Sequence, residues 1–136
     1  MRIAYFDCFS GISGDMTIGA FLDAGLSFGK LSKELSKLKI KGYKLGKARV
    51  KRHGIAGTKF DCITDSGAEG RTIKQILSII GRSSLSNRVK NIAGSIFTNI
   101  AEAEARVHGI RSGGQVHLHE LGGIDSIVDI VGAGIA

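Results

Sequence analysis

The chain has 136 residues, the length of one domain, and a domain of this size can bury roughly two thirds of its unfolded surface. Apolar residues make up 43% and charged residues 23%, which excludes a disordered or fibrous chain. No apolar run approaches the ~18 residues of a membrane span, and the N-terminus lacks the pattern of a signal peptide. Two cysteines, Cys8 and Cys62, are too few for a disulfide framework, so we expect reduced thiols and a cytoplasmic protein.

The net charge of +7 is unevenly distributed along the chain. Residues 30–52 hold ten Lys or Arg and one acid, whereas residues 100–136 hold five carboxylates, two Arg and three His. The basic stretch is either a solvated face or a surface that attracts phosphate or carboxylate substrates. Nucleic acid is not the expected partner, because DNA-binding proteins seldom place acids where phosphates approach.

Hydrophobic periodicity and helix caps predict a mixture of helices and short strands. The predicted elements, in chain order, are a buried strand at residues 2–9, helices at 15–24 and 27–38, a hairpin of 43–53 with 58–64, helices at 72–80 and 86–108, a short extended segment at 115–120, and a helix from 125 to the end. This order predicts an α+β fold. A small mixed sheet, made of the first strand, the hairpin and a short fourth strand, packs against several helices.

The last predicted helix is apolar up to Ala136 and carries no stop signal. We therefore expect residues 1–136 to form a single domain, which is either the N-terminal fragment of a longer protein or the product of an early stop or frameshift. The helix is expected to present apolar surface, which a continuation of the chain or a second copy would cover. Self-association into a homo-oligomer is the corresponding expectation.

The sharpest chemical motif is the segment His117-Leu118-His119-Glu120. In an extended segment His117 and His119 point to one face, about 7 Å apart, and can share a metal ion. The alternative is that both histidines lie on a solvated strand face.

Asp125 and Asp129 are spaced i, i+4 and so share one face of an otherwise apolar predicted helix. A carboxylate in apolar surroundings costs several kcal/mol unless a cation, a hydrogen-bond donor or a proton compensates it. No Lys or Arg on the same helix can provide that compensation. The pair is either a metal-binding group or an exposed polar stripe.

A glycine-rich connection near the N-terminus lies between Asp7 and Asp15. Backbone N–H groups in such a loop can approach a ligand, and the N-terminus of the following helix favours anions. The connection matches neither a P-loop nor a nucleophile elbow, and a simple turn is the alternative. We expect one polar pocket lined by six side chains: Asp7, Asp15, His117, His119, Asp125 and Asp129.

Two blocks of the sequence resemble the LarC family. Residues 3–20, IAYFDCFSGISGDMTIGA, resemble its opening, and residues 102–133, EAEARVHGIRSGGQVHLHELGGIDSIVDIVGA, resemble its second signature. The matching residues in these blocks are Asp7, Ser10, Gly11, Gly14, Asp15, His117, His119, Glu120, Asp125, Ser126 and Asp129.

The resemblance implies a nickel-insertion protein of the lyase class. LarC proteins insert nickel, with CTP and Mn or Mg, into a pyridinium bisthiocarboxylic acid mononucleotide, giving the nickel-pincer cofactor of lactate racemase-like enzymes. It also implies a longer chain whose C-terminal part is linked to nucleotide binding and oligomerisation. The alternative function is a non-catalytic metal- or nucleotide-binding module that needs a missing C-terminal half.

The site residues fall into two groups under this interpretation. The precursor mononucleotide is assigned to Asp7, Ser10, Gly11, Gly14 and Asp15. The metal is assigned to His117, His119, Glu120, Asp125 and Asp129. Neutral imidazole is needed for ligation, so metal binding is expected to weaken below about pH 6.5.

Overall fold

The computed structural model describes residues 3–65, 70–109, 117–118 and 121–136. The predicted ligands His119 and Glu120 lie outside the described residues, and for His117 the backbone alone is described. The helices are α1 (Gly14–Asp23), α2 (Phe28–Leu35), which continues as a short 3₁₀ turn (Ser36–Leu38), α3 (Ile73–Arg82), α4 (Asn87–Val107) and α5 (Ile124–Ile135). The strands are β1 (Tyr43–Arg52), β2 (Ile55–Thr64), β3 (Arg71–Thr72) and β4 (His117–Leu118).

β1 and β2 form an antiparallel hairpin. Its turn is residues 53–54, which is shorter than the expected turn of residues 54–57 and begins one residue earlier. His53 and Gly54 both have positive φ, 49° and 85°. A two-residue turn of this type matches the right-handed twist of the strands on either side. The register places Leu45 opposite Cys62 and turns Phe60 into the core, where it is 1% exposed.

The predicted helix starts at residues 27, 72 and 86 coincide with capping side chains in the structure. Ser27, Thr72 and Ser86 each accept a hydrogen bond from a backbone N–H in the first turn of their helix. Thr72 and Gln75 form a full capping box at the start of α3. Such caps satisfy N–H groups that have no partner within the helix, which is why these boundaries are readable from sequence.

α5 lies in the centre of the molecule and contacts α1, α2, α4 and β2. Its residues Ile127, Val128 and Val131 are fully buried, and this completely described helix leaves no large apolar side chain exposed. The expectation that α5 would present an apolar surface was therefore wrong. The apolar residues of α5 pack into the hydrophobic core of this chain.

The predicted first strand was also wrong within the described residues 3–9, which belong to no strand. Ile3, Tyr5 and Phe9 are 79%, 87% and 96% exposed. Among these residues Phe6 makes a ring contact, a T-shaped one with Phe21 on α1. An apolar run favours a strand, but a strand also needs a hydrogen-bonding neighbour, and none of the described strands pairs with residues 3–9.

The α+β class is confirmed, with the sheet smaller and more divided than expected. The described strands form two separate antiparallel pairs, β1 with β2 and β3 with β4. The segment around His117 does supply a short strand, but it pairs with Arg71 and Thr72 rather than with the hairpin. In the part of the chain that the structure describes, no helix is both long and apolar enough to cross a bilayer.

Candidate functional site

The N-terminus of α1 and the middle of α5 touch through a glycine. A methyl group on Gly14 would lie 2.5 Å from Cβ of Asp129 and 3.2 Å from its carbonyl carbon. A side chain at this position would clash at such distances. Asp129 can reach the first turn of α1 because Gly14 has no side chain. The next residue, Asp15, thereby comes beside Asp129, and its backbone N–H donates a hydrogen bond to the Asp129 carboxylate.

Two further contacts fix α1 in place. On α5, a methyl group at Gly132 would lie 2.6 Å from Cδ1 of Ile18, so the two helices remain close one turn further along. On the other side, a methyl group at Gly19 would lie 2.6 Å from the carbonyl oxygen of Thr58 on β2. The acidic start of α1 is therefore held against α5 and the hairpin at once.

A small cavity of about 170 Å³ lies where these three elements meet. We call it the carboxylate pocket. Its described lining consists of Asp15 from α1, Phe60, Asp61 and Cys62 from β2, and Asp125 and Asp129 from α5. Asp61 is paired with Lys59, whose Nζ lies 2.6 Å from the carboxylate oxygen. The other three acids form no salt bridge with the described residues.

The surroundings of Asp129 disfavour its charged form. Burial raises the pKa of this carboxyl to about 6, and the negative charges of Asp15 and Asp125 act in the same direction. The backbone hydrogen bond from Asp15 opposes them by stabilising the carboxylate. Asp129 is thus half protonated near pH 6 in the absence of a cation.

The Cys62 thiol experiences the same field. Burial, together with the negative charges of Asp129 and Asp125, raises its pKa to about 12. The thiol consequently remains protonated at neutral pH unless a metal ion displaces the proton. Sequence reasoning took Cys62 only as a buried reduced thiol and did not consider Asp61. The predicted strand was the only sequence signal at these two residues. The packing of α5 against β2 is what brings both of them to the acids.

The structure brings Asp15, Asp125 and Asp129 to one pocket and leaves other candidates elsewhere. Asp7, Ser10 and Gly11 are exposed and do not line the pocket. Gly11 has a φ of +83° and closes a turn through its N–H to the carbonyl of Cys8, 2.9 Å away. The side chains of the predicted histidine ligands are not among those described.

The described side chains alone do not form a preassembled metal site. Among them, no three His, Cys, Asp or Glu are grouped closely enough to hold a metal ion. Asp15 and Asp125 are near enough to raise the pKa of Asp129, but these acids do not converge on one point. Any ion bound here requires either a small movement of these side chains or further ligands.

Comparison with known proteins gives a consistent family. The family model for the nickel insertion protein matches residues 4–136. The chain is 49% identical, over its whole length, to the pyridinium-3,5-bisthiocarboxylic acid mononucleotide nickel insertion protein of Geobacillus kaustophilus (strain HTA426), of which it covers 35%. It is 47% identical over 98% of its length to the protein of the same name from Desulfitobacterium hafniense (strain DSM 10664 / DCB-2), of which it covers 33%. No solved structure matches significantly.

Proposed function

The chain belongs to the nickel insertion protein family, and we propose that it is the N-terminal domain that holds Ni²⁺ for transfer to an anionic pyridinium mononucleotide. It spans about a third of the length of the curated relatives that it matches. Nickel is the metal that this family handles. The complete insertion reaction, of the lyase class, belongs in this proposal to the longer protein.

The carboxylate pocket carries this proposal. Asp15, Asp125 and Asp129 border one small cavity and have no salt-bridge partner among the described residues. Several carboxylates in a partly buried cavity repel each other, and a divalent cation removes that repulsion. The free energy gained on neutralising the acids is therefore available for binding a metal ion.

Further ligands come in this proposal from His117, His119 and Glu120. The backbone of β4 is tied closely to the start of α5, because a methyl group on Gly122 would lie 2.3 Å from the carbonyl oxygen of Leu118. Nickel accepts imidazole and sulfur ligands readily, whereas Mn²⁺ and Mg²⁺ prefer carboxylate oxygens. We assign the Mn²⁺ or Mg²⁺ and the CTP implied by the LarC resemblance to the rest of the longer protein.

The ligand types set the direction of transfer. The relatives' printed names specify a precursor with two thiocarboxylic acid groups, whose sulfur atoms are softer donors than carboxylate oxygens. A nickel ion held by oxygen and imidazole ligands therefore moves favourably to the precursor. In this proposal Asp125 and Asp129 hold the ion until it passes to the precursor.

The setting of the reaction is part of the proposal as well. Disulfides are rare in cytoplasmic proteins, so the two free cysteines favour a cytoplasmic location. A homo-oligomer, or contact with the remaining part of a longer chain, would cover the exposed apolar side chains of residues 3–9.

A nickel competition titration tests the pocket. The isolated chain competes for Ni²⁺ with a coloured chelator, and the double variant Asp125→Asn with Asp129→Asn is expected to bind at least about tenfold more weakly. Asp65→Asn is the matched control, because Asp65 is exposed and lies outside the pocket. Equal affinities for the wild type and the double variant would remove the pocket from the proposal.

A second measurement separates catalysis from simple binding. Cofactor formation is followed with this chain alone and with a full-length relative carrying the same two Asp→Asn changes. Loss of cofactor formation in the full-length variant, together with weaker nickel binding, supports metal transfer at the pocket. Unchanged cofactor formation would leave a metal-binding module without a role in insertion.

A further inference from the structure

A second, larger cavity lies at the junction of β3 and α3. It is open and has a volume of about 590 Å³. We call it the cationic cavity. Its described lining consists of Arg71, Thr72, Lys74, Gln75, Ser78 and Ile79.

The charge of this cavity is opposite to that of the carboxylate pocket. Its described lining contains two cations and no carboxylate. Arg71 is held in place, because its Nη1 donates to the carbonyl oxygen of Gly122 at 3.1 Å. Lys74 is exposed and forms no salt bridge with the described residues.

The attraction for an anion comes from these side chains rather than from the end of the helix. Thr72 and Gln75 form the capping box of α3, so part of the N-terminal backbone hydrogen-bonding capacity is already used. The Thr72 hydroxyl is bonded to Gln75, Ser78 adds a hydroxyl group to the wall, and Ile79 adds apolar surface. The volume of the cavity falls within the range of about 300 to 1,000 Å³ that is usual for small-molecule sites.

We infer that the cationic cavity binds the phosphate-bearing end of an anionic pyridinium mononucleotide. This inference rests on the proposed function, which requires such a precursor, and it places the precursor away from the acidic start of α1. Two carboxylates, Asp15 and Asp129, occupy that helix end and repel a phosphate group.

The position of the cavity relative to the proposed metal ligands supports this placement. Thr72, which lines the cavity, is paired with the backbone of His117 in the β3–β4 ladder. Arg71 is bonded to Gly122, which is three residues before Asp125. A mononucleotide anchored by its phosphate at Lys74 and Arg71 thus lies beside the segment that leads into the metal-binding helix.

Binding of nicotinic acid mononucleotide, a stable pyridinium mononucleotide, to the isolated chain tests the inference. Calorimetry is expected to show at least about tenfold weaker binding for Lys74→Gln, because a charge-assisted contact to phosphate is lost. Lys74→Arg keeps the charge and is expected to restore most of the affinity. Lys44→Gln is the matched control, since Lys44 is an exposed lysine of β1 outside the cavity.

Two further ligands identify the group that is recognised. The riboside, which lacks the phosphate, is expected to bind at least about tenfold more weakly than the mononucleotide. Inorganic phosphate alone is also expected to bind more weakly, because it leaves most of the cavity empty. Equal binding of the riboside, or equal effects of Lys74→Gln and Lys44→Gln, would overturn the inference.

The assignment of nickel to the carboxylate pocket and the assignment of the mononucleotide to the cationic cavity can be refuted separately. If the double variant at Asp125 and Asp129 loses nickel but retains the mononucleotide, both assignments stand. A chain that binds no mononucleotide overturns the inference even when its nickel binding is intact. If that double variant binds nickel unchanged while mononucleotide binding depends on Lys74, the carboxylate pocket is not the nickel site, but the assignment of the cationic cavity stands.

Discussion

The carboxylate pocket and the cationic cavity carry opposite charges and are built in different ways. The pocket depends on close packing, since Gly14 must lack a side chain for Asp129 to reach the first turn of α1. The cavity depends on an exposed helix start, where Lys74 is exposed and lines the opening. Asp129 is half-buried beside other acids, which costs folding free energy that an exposed lysine does not, so the pocket is the region where binding a cation changes the protein most.

The largest expected effect of a single change is at Gly14. Gly14→Ala places a methyl group 2.5 Å from Cβ of Asp129, and the α1–α5 contact must open to accommodate it. We expect a loss of about 3 kcal/mol in the free energy of unfolding, measured by urea denaturation.

Gly81→Ala is the matched control, on the helix that borders the cationic cavity. A methyl group at Gly81 meets no atom within 4 Å, and Gly81 lies inside α3. Alanine is favoured over glycine in a helix, so this variant is expected to be neutral or up to about 1 kcal/mol more stable. Equal losses at Gly14 and Gly81 would mean that the α1–α5 contact is not under steric control.

The next effect is a pH-dependent gain in stability in Asp129→Asn. The pKa of Asp129 is raised in the folded state to about 6 from an ordinary value of 3.8. A carboxyl with a raised pKa contributes stability below its unfolded pKa, and this contribution is lost as pH rises through the folded pKa. Without metal, Asp129→Asn is therefore expected to be about 2 kcal/mol more stable than the wild type at pH 8.

The difference between Asp129→Asn and the wild type should shrink towards zero at pH 4, where Asp129 is mostly protonated in the folded protein. Urea denaturation at both pH values measures it. Lys74→Gln, at the cationic cavity, is the comparison variant and is expected to change stability by less than about 0.5 kcal/mol at either pH. A wild type that is more stable than Asp129→Asn at pH 8 in the absence of metal would contradict the electrostatic description of the pocket.

The smallest of the three effects concerns thiol reactivity. The raised pKa of Cys62, about 12, leaves very little thiolate at pH 8, and the side chain is half-buried. Alkylation of Cys62, measured in Cys8→Ser, is expected to be at least about tenfold slower than alkylation of Cys8 in Cys62→Ser. Removing the charges of Asp125 and Asp129 should accelerate it, and an unchanged rate in that variant would show that the acids do not act on the thiol.

Much of the secondary structure was predictable because it depends on local physics. The caps at Ser27, Thr72 and Ser86 hydrogen-bond to N–H groups three residues away, so their effect does not require tertiary contacts. The first strand was not predictable in the same way. Residues 3–9 have the apolar composition of a buried strand, but whether they form one depends on a pairing partner that composition does not specify.

The candidate site divides along the same line. The i, i+4 spacing of Asp125 and Asp129 placed both acids near one face of α5, and the apolar residues around them indicated that their charge needed a partner. That Asp15 would meet them depends on the glycine contact between two helices that are more than a hundred residues apart in sequence. The entry of Asp61 and Cys62 into the same pocket depends on how α5 packs against β2.

The sequence by itself determined the α+β class, the helix caps, the uneven distribution of charge and the family, because each is recorded in residue types at short spacing. Tertiary structure alone decided which acids share a pocket, that α5 is a core helix, and that a cationic cavity adjoins the strand containing His117. The physical reason is the distance along the chain over which each interaction acts. Caps and periodicity act over one turn or one strand pair, whereas desolvation and charge repulsion depend on which distant segments exclude water together.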